Sequence, residues 1–190
     1  KIITDGSACS SFQRTSLIGT GTNNSYLETS LGKVRITSLC LEEDACKIEK
    51  LEGNKVHYSL SRQGIPLLEI RTEPDIKTPE HAREVAEKIG LIFRSFPSIL
   101  RGIGTIRQDV NLSIENGARV EIKGFQELRM MPKIIDYEIV RQINLIKQGK
   151  KVEKEVRKAN ENGTTSFLRP LPGAARMYPD TDLKNIIVSK

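Results

Sequence analysis

The sequence predicts an α+β fold, a mostly antiparallel sheet with helices on one side. Three observations predict it. Strand-like stretches cluster instead of alternating regularly with helices. Two segments, beginning at Thr78 and near Pro132, carry helical apolar periodicity behind a proline in the first turn. One stretch, Gly104 to Gly124, alternates strictly and turns back on itself around Glu115-Asn116-Gly117.

The elements follow in order. A strand-like segment follows Lys1 almost at once, Asp5-Gly6-Ser7 is a turn, and 11–19 reads as a strand. Residues 20–25 are polar and form a loop. Lys33 to Leu41 is rich in β-branched residues and runs as a strand into Glu42-Glu43-Asp44. Residues 48–55 read as a turn or loop around Gly53-Asn54, and Val56 to Leu60 as a short strand. Ile65 to Arg71 is the next strand, with Pro66 near its start. Glu69 stands inside its nearly continuous apolar run, where a carboxylate is costly unless paired or metal-bound.

Thr78-Pro79-Glu80 supplies an N-cap, a first-turn proline and a first-turn acid. Val85, Ile89, Ile92 and Phe96 mark the packed face, and the helix ends before Pro97. The second helix has Pro132 in its first turn, Ile135, Ile139, Ile143 and Ile146 on one face, and Gly149 at its end. The charged segment 150–158 reads as an edge strand whose lysines discourage edge pairing. Residues 159–166 are linker-like. Leu168 to Gly173 and Met177 to Asp182 read as extended loops, and 186–188 as a final strand.

The register of the central hairpin can be worked out from the sequence. A two-residue Asn-Gly loop would set Ile114 opposite Arg119 and mix apolar with charged faces. A three-residue loop, Glu115 to Gly117, pairs Val110 with Ile122 and Asp109 with Lys123. Gly117 would take the left-handed position. One face of the hairpin then carries Arg107, Asp109, Asn111, Glu121 and Lys123. It reads either as a solvated face with cross-strand ion pairs or as a floor for metal-bound phosphate. The acid run at Glu42 likewise reads as a solvated strand end or a cation site.

Bulk composition narrows the chemistry. The 190 residues, 37% hydrophobic and 28% charged, suit one soluble core. A net charge of +6 favours an anionic partner. Cys9, Cys40 and Cys46 lack zinc or disulfide spacing, and with His57 and His81 as the two histidines any metal would be held by oxygen. There is no apolar run long enough to span a bilayer and no signal-peptide pattern, so the expected location is cytoplasmic. Beginning at Lys1, the sequence reads as a piece of a longer protein. P-loop, dinucleotide, nucleophile-elbow and kinase signatures do not occur.

Several motifs together resemble the amidotransferase B/E subunit family. They are Leu41-Glu-Glu-Asp-Ala45, Ser61-Arg-Gln-Gly-Ile-Pro-Leu-Leu-Glu-Ile70, Thr72-Glu-Pro-Asp-Ile76, Arg107-Gln-Asp-Val-Asn111, Val120-Glu-Ile-Lys123 and Tyr137-Glu138. Gly104 to Asn111 and Pro170 to Asp182 resemble the archaeal E-type subunit in particular. The resemblance implies a cradle similar to glutamine synthetase and guanido kinases. It implies that ATP and Mg²⁺ phosphorylate the γ-carboxylate of glutamate carried on tRNA(Gln), and that ammonia then displaces the phosphate. The implied partners are the aminoacylated tRNA(Gln) and an asparaginase-like, ammonia-producing subunit.

By the same resemblance, Glu43, Glu69 and Asp109 are the metal ligands and catalytic carboxylates. Arg107, Asn111, Glu121 and Lys123 contact the nucleotide, and Gln13 and Arg14 face the aminoacyl end. Residues 1–190 would form one cradle domain. Family parts expected elsewhere are an initial metal-binding strand, a domain inserted at 159–167, and a helical tail gripping tRNA.

Two other classes fit parts of the sequence. A non-catalytic RNA-binding module would explain the charge, but no aromatic stacking motif accompanies it. A stand-alone small-molecule kinase or amide ligase would use the same acids. It differs from the first reading in not depending on charged tRNA.

Overall fold

The computed structural model describes residues 2–5, 13–171 and 177–179. They form an α+β fold of mostly antiparallel strands and two long helices. The chain divides into two compact units. The first takes residues 1–27, 34–75 and 172–190, and the second takes 28–33 and 76–171. Among the described residues no helix is long and apolar enough to cross a membrane.

The first unit is built on one long strand. β1 (Ile2–Asp5), β2 (Gln13–Thr20), β3 (Tyr26–Thr29) and β4 (Gly32–Glu43) are followed by a ribbon of β5 (Lys47–Glu52) and β6 (Lys55–Ser59), then by β7 (Pro66–Thr72). β4 pairs antiparallel with β2 on one side and with β7 on the other. Its alternation Val34, Ser38 and Cys40 supplies much of the buried surface.

The turn expected at Gly53-Asn54, with Gly53 at φ +54°, and the strand after it are present, but residues 48–52, expected as turn or loop, are the other strand of the β5–β6 ribbon. The register skips between Ile48 and Lys50, leaving Glu49 as the extra residue. That skip breaks the period-two pattern from which a strand would be read.

In the second unit, α1 (Pro79–Ser95) is capped as expected: Thr78 Oγ1 accepts from the His81 amide at 3.1 Å. The tip formed by residues 28–33 is clasped to α1. Thr29 Oγ1 and His81 Nε2 lie 2.7 Å apart, and Lys88 Nζ donates to the Glu28 carbonyl. Ser30 donates twice to Glu84, which with Lys88 holds that carboxyl down at about 2.

β8 (Val110–Leu112) and β9 (Val120–Lys123) pair in the expected register, Val110 with Ile122. The ladder is shorter than expected. Asn116, not Gly117, takes the left-handed conformation, at φ +60°. Gly117 is needed for a different reason: a Cβ there would lie 2.4 Å from Gln142 Oε1.

A 3₁₀ turn (Leu128–Met130) leads into α2 (Met131–Lys147). Its buried face runs through Met131, Ile134, Ile135, Glu138 and Gln142, while Ile143 is exposed. The expected isoleucine stripe holds at Ile135, which is in the core, and at Ile139, which packs against it, and departs at Ile143, where Gln142 takes the buried position.

The crossover through α2 sets β10 (Glu155–Ala159) parallel to β9, and β11 (Thr165–Pro170) follows antiparallel. β10 is therefore interior, not the expected edge. Its charge is accommodated because Arg157 turns inward to Glu138 and Thr165. The linker expected over 159–166, and the described part of the loop expected over 168–173, hold the turn and most of the second strand of this hairpin. β12 (Met177–Pro179) pairs with β1 where a loop was expected. The strand expected at 186–188, and Cys9, lie outside the described residues.

Val120, Ile122, Phe125, Met131, Ile134, Ile135, Ala82 and Ala159 form the core of the second unit.

Candidate functional site

The polar face of the second sheet is set by simple alternation. Val110, Leu112, Val120 and Ile122 turn toward the helices, so Asn111, Glu121 and Lys123 turn away. Asp109, just before β8, reaches the same side. Lys123 Nζ lies 2.5 Å from Asp109 Oδ2 and 2.5 Å from Glu121 Oε1. Partial burial pulls the Lys123 pKa down, but the hydrogen bonds and charges of the two carboxylates outweigh it and raise the pKa above its ordinary value. Asn111 stands opposite Glu121 in the ladder. Arg107 is exposed in the preceding turn, with its Nε 3.3 Å from the Gly104 carbonyl.

The first unit holds a second set of carboxyls. Glu69 is paired with Cys40 in the β4–β7 ladder, and Glu42 is two residues along β4. The two glutamates share one face. Thr15 stands opposite Glu42 on β2, and its hydroxyl donates to Glu42 Oε1 at 3.2 Å. Arg71 Nη2 lies 2.8 Å from Glu69 Oε2.

Burial first, then the charge of Glu69 and a hydrogen bond to it, push the Glu42 carboxyl up from 4.5 to about 7. Thr15 and Arg71 act in the opposite direction. Glu69 itself is 38% exposed and answered by Arg71, which removes the cost of placing it in an apolar run.

The remaining expected residues fall as follows. Glu43 pairs with Pro66, so it projects from the face opposite Glu69. Gln13 alternates onto the Thr15 side of β2, and Arg14 onto the other. The structure brings Asp109, Asn111, Glu121 and Lys123 together in one unit. It brings Glu69 together with Glu42 in the other. Among the described residues no three His, Cys, Asp or Glu side chains gather at metal-ligand spacing.

Thr15 and Arg71 were missed by sequence reasoning, and Glu42 was read only as part of the acid run. The two successive glutamates look equivalent until the register says which one shares a face with Glu69.

A paired-carboxyl face and a lysine held between two acids suit cation-assisted phosphate chemistry. Comparison with known proteins gives the family. A family model described as the GatB/GatE catalytic domain matches residues 1–190. The chain is 51% identical over 160 residues to the E-type subunit of glutamyl-tRNA(Gln) amidotransferase from Methanocaldococcus jannaschii, covering 84% of this chain and 24% of that protein. It is 55% identical over 147 residues to the protein of the same name from Methanosarcina barkeri, covering 77% and 23%.

The Archaeoglobus fulgidus protein of that name is 34% identical over 319 residues, covering 100% of this chain and 51% of the relative. That alignment is longer than the chain itself, so the relative has an internal stretch with no counterpart here. The chain spans between 23% and 51% of the length of these relatives. The chain belongs to the GatB/GatE catalytic domain family.

Proposed function

We propose that this chain is the phosphorylating part of an ATP-dependent glutamyl-tRNA(Gln) amidotransferase, a carbon–nitrogen ligase. The observation that carries the reading is the polar sheet face where Lys123 is held between Asp109 and Glu121. Family membership supports it. In this reading the γ-carboxylate of tRNA-bound glutamate attacks the terminal phosphoryl group of ATP. Ammonia from a separate asparaginase-like subunit then displaces the phosphate to give glutamine. The reaction belongs in the cytoplasm, on a cradle of the glutamine synthetase and guanido kinase kind.

The residues fit a hard divalent cation. Burial first, and then the charge of Glu69 beside it, let Glu42 hold its proton to about pH 7, and a cation between the two carboxylates would replace that proton. In the first unit Glu69, with Glu42 beside it, is the carboxylate we assign to Mg²⁺, and in the second unit it is Asp109. Glu43 remains a candidate from the other face of β4. When bound, Mg²⁺ supplies neutralisation of phosphate charge.

The protein's own part is placement. Phosphoryl transfer needs alignment and charge compensation more than a protein nucleophile. Lys123 and Arg107 would orient phosphoryl oxygens, and Asn111 and Glu121 would fix that arrangement. Gln13 and Arg14 would face the aminoacyl end.

The test is ATP turnover by the full-length protein with Mg²⁺, with and without glutamyl-tRNA(Gln). Turnover that requires the charged tRNA supports the amidotransferase. Turnover indifferent to tRNA would replace it with a small-molecule ligase.

A further inference from the structure

Lys158 is a cation on the polar face that the roles above leave unused. It stands in register with Lys123 across the parallel β9–β10 ladder, and with Ser166 on β11. In-register neighbours share a face, so both ammonium groups leave the sheet on the same side. Like charges so placed repel each other. Lys123 is neutralised by Asp109 and Glu121. Lys158 is exposed, and among the described residues no carboxylate pairs with it.

Its backbone is not free to carry the charge away. Arg157 on one side is buried against Glu138 and Thr165, and Ala159 on the other side is in the core. Its stem runs beside the turn after Lys123: a Cβ built at Gly124 would lie 3.9 Å from Lys158 Cγ. A rigid strand therefore holds an unpaired lysine next to a paired one.

We propose that Lys158 is a second phosphate-binding cation, contacting the polyphosphate of the nucleotide beside Lys123. The inference rests on the ATP-dependent reading above. A nucleotide polyphosphate suits this face better than an RNA backbone. Asp109 and Glu121 repel a bare phosphodiester, whereas a polyphosphate arrives with a divalent cation that those carboxylates attract.

The experiment measures ATP, adenosine and tRNA(Gln) affinities of the full-length protein with Mg²⁺, by equilibrium dialysis, for wild type, Lys158→Gln and Lys158→Arg. Thermal melts establish that each variant is folded. Lys158→Gln is expected to weaken ATP about tenfold, the loss of one charge-assisted contact, and to leave adenosine unchanged. Lys158→Arg, which keeps the charge, should stay near wild type. Unchanged ATP affinity in Lys158→Gln overturns the proposal. So does weaker tRNA binding with ATP unaffected, which would make Lys158 an RNA contact. A wild-type protein that binds no ATP overturns the parent reading itself and the proposal with it.

Discussion

Glu42 and Glu43 are neighbours in the chain but face opposite sides of β4, and the carboxyl beside Glu69 belongs to Glu42. Burial of Glu42, together with this proximity, has a measurable consequence. A carboxyl whose folded pKa is raised stabilises the fold fully below its unfolded value and loses that contribution as pH rises through the folded value. For Glu42 the window runs from 4.5 to about 7. Glu42→Gln should therefore melt higher than wild type at pH 8 without divalent cation. The advantage should vanish by about pH 4.5, where wild-type Glu42 is neutral as well. Equal melting temperatures at pH 8 would mean that neither burial nor Glu69 holds the Glu42 proton.

A second prediction at this scale concerns chemistry. Asp109→Asn and Glu69→Gln in the full-length protein should abolish ATP-dependent phosphorylation while leaving tRNA binding nearly intact. Wild-type phosphorylation rates in both would remove these residues from the proposed cation site.

Among the elements, α2 is tied to the second sheet by buried charge. Glu138 is fully buried, with Arg141 at 2.7 Å, Arg157 at 3.2 Å and the Thr165 hydroxyl at 2.8 Å. Glu155 completes the network, 2.6 Å from Arg157. Removing one partner leaves the others' charge buried and uncompensated. Glu138→Ala should cost about 3–5 kcal/mol in urea unfolding. A cost near that of a surface mutation would show that water enters and replaces the carboxylate.

The hairpin loop makes a separate test. Alanine at Gly117 would bring its Cβ against Gln142 Oε1 and Ile114 Cγ1. Overpacking of this kind costs roughly 1–3 kcal/mol. Asn116 already supplies the left-handed residue, so Asn116→Gly should be tolerated with little change in the same unfolding curves.

For the molecule as a whole, the net charge of +6 predicts salt-sensitive binding to a polyanion. On the proposed reading, the logarithm of the tRNA affinity should fall linearly with log salt, as phosphate contacts release counterions. Binding that ignores salt would place recognition outside this basic domain.

Local and pairwise determinants were legible in the chain. Thr78-Pro79 fixed the start of α1. The hairpin register, and with it the Asp109–Lys123 pair, followed from requiring apolar residues to share a face. Proximities that depend on non-local pairing were not legible. β10 became an interior strand only because α2 carries the chain back parallel to β9, with Arg157 turned inward onto Glu138. The first strand of the β5–β6 ribbon was hidden by one skipped residue.

By itself, then, the sequence determined the fold class, the family and the carboxylates and cations available. Each of these depends on residue types and short spacings. Tertiary structure alone decided that Glu42 is the partner of Glu69, that Lys158 stands beside Lys123, and that a fully buried glutamate anchors α2. The physical reason is that strand pairing joins residues far apart in the chain, and a shift of one residue in register reverses every face.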